Sequence, residues 1–321
     1  MGVYHLMGLG CSPGTVTGPL SYLAHRYQRW NAADQQFFGR SGEVTQRQRG
    51  DKVGDVQACV LFTTSEVLDG ELPSYNYIEN PPGRITKGPE RDGGEMKVVL
   101  KQLLRKEWSI IGGGRDSGDL FWCQVNRRDI RSAYERIAQV VAALAGVGGQ
   151  GHEMWINLTG GNNVTNFALQ LVATLSGEVA RFYYVQAENR AAESCVRFTA
   201  ENGYWVELPV MPLALGRLSK AILEMLQDEV MSLTELHGRL YSQLYDLSGG
   251  IETEEALRDY LEPLWKQGII AEAGNGYTTG PQWELIRPYQ DILLQAGQAD
   301  VTIEQLSQRA GWLERETVAF D

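Results

Sequence analysis

Five short, nearly unbroken apolar runs constrain this chain more than anything else in it. They are VYHLMGLG (3–10), VQACVLFTT (56–64), DLFWCQVN (119–126), EMWINLT (153–159) and VARFYYVQ (179–186). Runs of this length, rich in β-branched and aromatic residues, read as strands buried on both faces. Helical periodicity fills the stretches between them. PLSYLAHRYQRW follows the first run, and EMKVVLKQLLRKEW (95–108) places Met96, Val99, Leu100, Leu103 and Leu104 on one face. DIRSAYERIAQVVAALAG opens on Asp129 as N-cap and closes on Gly146, and NVTNFALQLVATLSG follows the fourth run. Strands that alternate with helices predict an α/β fold, a Rossmann-like, mainly parallel sheet with helices on both faces. Ligands of such sheets bind beyond the C-terminal strand ends, near the point where strand order reverses. The loops after Gly10, Thr64, Asn126, Thr159 and Gln186 are therefore the expected walls of a pocket. SCVRFTA and GYWVELPV read as two more strands, meeting at the hairpin turn Asn202-Gly203.

A chain of 321 residues is long for a single core and predicts more than one domain. The alternating pattern occupies residues 1–210, and MPLALG (211–216) marks a junction. Residues 211–290 read as three helices followed by the hairpin IIAEAGNGYTTG, which is the order of a winged helix-turn-helix domain. Residues 291–321 read as a C-terminal helical extension with Leu293, Leu294, Ile303 and Leu306 on one face. Segment 65–93 and Gly112-Gly113-Gly114 read as loops over the sheet edge.

Charge restricts the partners. The net charge is −11, so an anionic ligand must be held by a local site. Nearly all of the excess lies in residues 211–321, with 8 Lys and Arg against 18 Asp and Glu. In a winged helix the third helix reads DNA. Here that helix carries Glu252, Glu254, Glu255, Asp259 and Glu262 against Arg258 and Lys266. Such a surface repels phosphates, which argues against DNA binding and for dimerisation or protein docking. No apolar run reaches the ~18 residues of a membrane span. The chain start runs directly into a strand, so no signal peptide is expected. Of the four cysteines, Cys11, Cys59, Cys123 and Cys195, none forms a CxxC pair. Cys59 and Cys123 lie in apolar strands and read as buried free thiols of a cytoplasmic protein. No His or Cys stands at ligand spacing, so no metal is expected.

Two loops carry the chemistry. The first, Gly8-Leu9-Gly10-Cys11-Ser12-Pro13-Gly14-Thr15-Val16-Thr17, joins the first strand to its helix. Glycines permit close backbone approach, and a helix start offers unpaired N–H groups to an anion. Ser12, Thr15 and Thr17 add hydroxyls. Gly8, Gly10 and Gly14 give GxGxxxG rather than the dinucleotide pattern GxGxxG, and no acidic residue closes the second strand near Val60, so no NAD or other cofactor is expected. The second loop, Thr159-Gly160-Gly161-Asn162-Asn163, joins the fourth strand to its helix and presents amides with neutral donors. Other catalytic arrangements are not supported. No Arg lies five residues before His5, His25, His152 or His237, as a HEPN ribonuclease motif needs, and no Lys-Ser/Thr pair completes a Walker A loop. His5 sits inside a strand and reads as a core residue.

GLGCSPGTVTGPLSYLA, INLTGGNNVTNFAL and the strand end VLFTTSEV between them together resemble the CRISPR-associated Rossmann-fold (CARF) family, over about residues 1–210. The winged-helix appendage also recurs there. The resemblance implies a homodimer that binds cyclic tetra- or hexa-adenylate across its two-fold axis in type III CRISPR antiviral defence. It implies Gly10, Cys11, Pro13, Gly14, Thr15, Thr17, Thr63, Thr64, Thr159, Gly160, Gly161 and Asn162 as ligand contacts. Some members are metal-independent ring nucleases, which would give Ser12 the phosphate-contacting role and put Asn163 where the family often has a lysine. The other reading of the same residues is a non-cleaving sensor, or a ligand-responsive transcriptional regulator, acting through the winged helix. Arg84, Lys87, Arg91 and Arg115 are the cations a cleaving site could borrow.

Overall fold

A computed structural model describes residues 2–29, 31–38, 55–75, 77, 93–146, 152–187, 196–197, 203–209, 215–243 and 251–321. The chain divides into two units, Met1–Pro212 with Gln295–Asp321, and Leu213–Leu294.

The first unit holds β1 (Gly2–Gly8), α1 (Gly14–Arg29), α2 (Ala32–Phe38), β2 (Val56–Thr63), α3 (Ser65–Leu68), α4 (Met96–Ile111), β3 (Ser117–Gln124) and α5 (Ile130–Ala145). It continues with β4 (His152–Asn157), α6 (Asn163–Ser176), β5 (Val179–Ala187) and β6 (Gly203–Leu208). The second unit holds α7 (Arg217–Leu226), α8 (Leu233–Gln243), α9 (Glu254–Lys266), β7 (Ile270–Ala273) and β8 (Gly276–Thr279). After α10 (Pro281–Gln298) the chain ends with α11 (Ile303–Arg309) and β9 (Leu313–Ala319).

The main sheet has seven strands in the order β6-β5-β4-β1-β2-β3-β9. The five central strands are parallel, and each edge strand is antiparallel to its neighbour. The sheet is thus mixed α/β and mostly parallel, a Rossmann-like arrangement. Strand order reverses between β1 and β4, so the loops after these two strands share the switch point. Strand residues of one parity, among them Val3, Met7, Cys59, Leu61, Leu120, Trp122 and Trp155, pack with Leu20, Leu23, Leu100 and Leu104 of α1 and α4. Residues of the other parity, including Leu6, Val60, Phe121 and Ile156, are equally buried. They face away from that cluster, toward the side covered by the packed pair α5 and α6.

Helix ends follow the chemistry of the sequence. Asp129 accepts a hydrogen bond from Ser132 N at 3.0 Å and caps α5. Asn162 accepts from Thr165 N at 2.9 Å and caps α6. Cys59 and Cys123 are buried free thiols, as expected, and burial pushes both upward in pKa. Cys195, Arg84, Lys87, Arg91 and the Asn202 turn residue lie outside the described residues.

Two expectations need correction. The first helix was expected from Pro19, but α1 begins at Gly14 and carries Pro19 inside it. Thr15 and Thr17 therefore belong to its first turns rather than to a loop. The last residues were expected to be a helical extension. Ile303–Arg309 is helical, but Leu313–Ala319 is a strand of the main sheet, pairing from Ser117↔Ala319 to Cys123↔Leu313. Its sequence LERETVA hides this, because only Leu313 and Val318 are buried and the rest is charged or small. Charge is what an edge strand requires. The side chains are held by β3 and α4. Arg315 forks onto Asp119 with two bonds of 3.0 Å, Lys101 reaches Glu316 at 3.0 Å, and Trp122 Nε1 donates to Glu316 at 3.0 Å.

In the second unit, Ile222, Leu223, Leu226, Leu236, Leu240, Leu257, Leu261 and Ile270 form a separate core beneath the β7–β8 hairpin. Met231 adds a bridge to Tyr277 of that hairpin. Among the described residues, no helix is long and apolar enough to cross a membrane.

Candidate functional site

The two glycine-bearing loops meet at the switch point, and three glycines make the meeting possible. A Cβ on Gly8 would lie 2.8 Å from Gly160 O, and one on Gly160 would lie 2.6 Å from Gly8 O and overlap Thr15. Gly161 has a φ of +88° and brings its backbone against Gly8, where a Cβ would stand 2.9 Å from Gly8 Cα. Any side chain here would drive the loops apart.

Asn157, the last residue of β4, joins them chemically. It is fully buried. Its Oδ1 accepts from Thr159 N at 2.8 Å, and its Nδ2 donates to Thr15 O at 3.0 Å. The second bond has a cause in the sequence. Thr15 O would ordinarily accept from the amide four residues later in α1, but that residue is Pro19, which has no N–H. The proline frees a part-buried carbonyl and the asparagine satisfies it. Thr159 in turn accepts from Val185 N at 2.8 Å through its hydroxyl, tying the loop to β5.

These bonds sort the expected contacts. Thr15 spends its hydroxyl on Ser12 O at 2.8 Å, and Thr17, nearly fully buried, spends its own on Pro13 O at 3.1 Å. Thr17 therefore shapes the loop and is not exposed to a ligand. Pro13 and Gly14 are buried, while Gly10, Cys11 and Ser12 are half-exposed. Cys11 O is taken by Tyr75 N at 2.7 Å. The Ser12 hydroxyl makes no bond among the described residues. Asn162 commits its Oδ1 to capping, and Asn163 is exposed at the first position of α6. Thr63 is fully buried at the end of β2, with its hydroxyl unpartnered. Arg115 lies near the opposite end of the sheet, donating to Val56 O at 2.7 Å and to Gly112 O at 2.8 Å, so it is structural. Among the described residues, no three His, Cys, Asp or Glu stand together as a metal site.

Thr64 belongs to a different place. With Ser65, Glu66, Gln124, Val125, Asn126, Arg127, Arg128, Ser132 and Arg136 it lines a cleft of about 490 Å³ at the C-terminal ends of β2 and β3. The loops after Thr64 and Asn126 were expected walls of a pocket. The three arginines were not, because their convergence depends on how α5 packs. Asn157 heads the INLTGGNN motif, but its role as a bridge between the loops is not readable there, because its partner Thr15 is distant in sequence.

His5 is the core residue it was expected to be. It is fully buried, its Nδ1 lies 2.7 Å from Tyr183 Oη, and its Nε2 has no partner. Burial, and then the charge of Arg181, lowers its pKa to about 3. The unfolded chain takes up a proton below the ordinary value of 6.5, and the folded chain does not. His5 thus contributes stability that is fully present above that value and is lost as pH falls toward 3. At about pH 5 the loss amounts to roughly 2 kcal/mol. Urea unfolding at neutral and mildly acidic pH checks this. His5→Phe should be weaker at neutral pH, because Tyr183 loses its partner, but should show a flatter decline. An unchanged slope would show that His5 protonates freely.

No protein-family model matches the chain. An uncharacterized protein from Archaeoglobus fulgidus is 23% identical over 241 residues, covering 69% of this chain and 72% of that protein. The crystal structure of protein VC1899 from Vibrio cholerae aligns with 99% of this chain and 77% of that chain, at 12% identity and a TM-score of 0.31, a likeness that carries no functional argument.

Proposed function

We propose that this protein is a homodimeric cyclic oligoadenylate receptor of the CARF type, acting in type III CRISPR defence in the cytoplasm and opening its bound ring slowly. The observation that carries the reading is the interlocked pair of loops at the switch point, with the Ser12 hydroxyl and the amides around Gly10 and Gly161 left for a phosphate-bearing ligand. A ring with rotational symmetry suits a site built from the same loops of two subunits. In the cleavage step a ribose 2′-hydroxyl attacks the adjacent phosphorus and the bond from phosphorus to the 5′-oxygen breaks. The 2′-proton passes to solvent and the 5′-oxygen takes one up, leaving a 2′,3′-cyclic phosphate and a 5′-hydroxyl. The protein holds the attack in line and donates to the phosphoryl oxygens. Ser12 supplies one donor. Asn163 supplies a neutral amide where an ammonium ion would stabilise the developing charge better.

Incubation with cyclic tetra- and hexa-adenylate at stoichiometric protein tests this, with linear products resolved by chromatography. Wild-type protein opens one of the rings over hours, Ser12→Ala abolishes opening, and Asn163→Lys accelerates it about tenfold or more. Rings left intact by wild type and by Asn163→Lys would overturn the nuclease. Absence of binding by calorimetry would overturn the receptor.

The second unit supports a non-cleaving sensor as the alternative. We read its three helices and hairpin as a winged helix. Four acidic residues on α9, Glu254, Glu255, Asp259 and Glu262, argue against DNA. The exposed side chains Val230, Tyr241, Trp265, Leu285 and Leu294 favour a protein partner.

A further inference from the structure

The cleft at the ends of β2 and β3 holds several unspent donors, and its one carboxylate is already engaged. Its volume of about 490 Å³ falls within the range of small-molecule sites. Three of its side chains are arginines, in a chain whose net charge is −11. The single carboxylate, Glu66, is already engaged by Arg127 at 3.3 Å. The Thr64 hydroxyl, then Glu66's own amide, then Arg127 and Arg128, hold that carboxyl below its usual range. It therefore stays ionised and is paired with Arg127, with Arg128 sharing its charge at longer range, and leaves Arg136 as the uncompensated cation of the lining.

Arg136 is set in place. Its guanidinium lies over the Trp312 ring at 5.5 Å, and Nη1 donates to Gln124 O. A guanidinium has five N–H donors, so most of this one remain unused among the described residues. Arg128 feels the charge of Glu66 but forms no ion pair within 4.0 Å among them. The hydroxyls of Ser65 and Ser132 make no bond either, since the Ser132 amide, not its hydroxyl, is what Asp129 accepts. Asn126 uses its Oδ1 on Arg128 N at 3.0 Å, which turns its amide nitrogen into one more spare donor. Two cations and three neutral donors around one cavity are complementary to a compact multivalent anion. A planar guanidinium fork matches phosphate oxygens better than a diffuse negative surface does.

From this the structure assigns a second ligand site, a pocket for a small phosphate monoester, bounded by Arg128, Arg136, Ser65, Ser132 and Asn126. It shares only Thr64 with the expected contacts of the ring ligand, and it stands whether or not the chain binds cyclic oligoadenylates. Inorganic phosphate is the minimal occupant, and a nucleoside monophosphate is the larger one that the volume admits.

Calorimetric titration of the full chain with inorganic phosphate and, separately, with AMP tests the assignment. Saturable binding of at least one is expected, weakening about tenfold or more in Arg128→Met and in Arg136→Met. Arg128 is on an exposed turn, so its replacement leaves the fold intact even where Arg136→Met disturbs Gln124. Ser12→Ala, at the other site, should leave the titration unchanged. Binding of phosphate alone would narrow the pocket to the free ion, and tighter binding of AMP would extend it to the nucleoside. No saturation by either below about 10 mM, or binding that both arginine variants leave untouched, would overturn it.

Discussion

Removal of residues Gly311–Asp321 is expected to cost the first unit about 3–5 kcal/mol and to make it self-associate. The deleted strand β9 buries Leu313 and Val318, each worth roughly 1.5–3 kcal/mol of transfer free energy. Phe320 also packs on the buried Trp108 at 5.8 Å between ring centroids. Its loss uncovers the full edge of β3, including the polar backbone groups from Ser117 to Cys123 that now pair with β9. An open, apolar edge is a template for pairing with another chain. Thermal unfolding should fall by about ten degrees or more, and size-exclusion chromatography should show aggregates. Arg315→Ala separates packing from charge. Its fork onto Asp119 is partly exposed, and pairs of that kind contribute up to about 1 kcal/mol. A small loss in Arg315→Ala beside a large one in the truncation would place the stability in the apolar contacts. A truncated protein as stable and monomeric as the parent would show that β9 is dispensable.

Replacement of Asn157 should produce the second large effect, in an unusual pH pattern. Asn157→Ala leaves two part-buried groups without their partner, Thr159 N and Thr15 O, and each costs up to about 1–3 kcal/mol. Pro19 cannot supply the missing donor, so the α1 carbonyl has no substitute within its helix. Asn157→Asp keeps the acceptor toward Thr159 but sets a carboxylate against Thr15 O. Burial and that carbonyl raise the new group's pKa in the folded chain, so its proton is retained to higher pH than in the unfolded chain. The variant is then closest to wild type at acidic pH and weakens as pH rises past the ordinary carboxyl range. Urea unfolding of wild type, Asn157→Ala and Asn157→Asp, compared at each pH, reads this directly. A pH-independent gap between the aspartate variant and wild type would refute the bridging role. On the proposed function, both variants also lose ring affinity, because the loops that form the site are no longer held together.

Much of this was legible in the residues. Apolar runs too short for helices and too continuous for half-exposed strands gave the parallel sheet its five central members. Amphipathic spacing gave α4 its buried face from Met96 to Leu104, and Asp129 announced the cap it forms, whereas Asn162, expected as a ligand contact, caps α6. The two glycine loops could be picked out because glycine pairs followed by helix signals have few other uses. These are local properties, in which periodicity, capping and backbone freedom act within a few residues.

The tertiary structure decided what depends on partners distant in sequence. Thr15 and Thr17 looked like equivalent loop hydroxyls, yet both are spent on the turn's own carbonyls, since α1 starts before its proline. Asn157 and Pro19 carry no mutual signal along the chain, because a missing N–H matters only once another strand brings a donor to the orphaned carbonyl. LERETVA reads as surface because an edge strand needs charge, and only β3 and α4 supply the Asp119, Trp122 and Lys101 that order it. Arg128, on the turn before α5, and Arg136, on α5, are ordinary surface cations by spacing. On the proposed assignment they become a site because the start of α5 and the ends of β2 and β3 line one cleft, in which Arg127 pairs with the one carboxylate among the described lining residues.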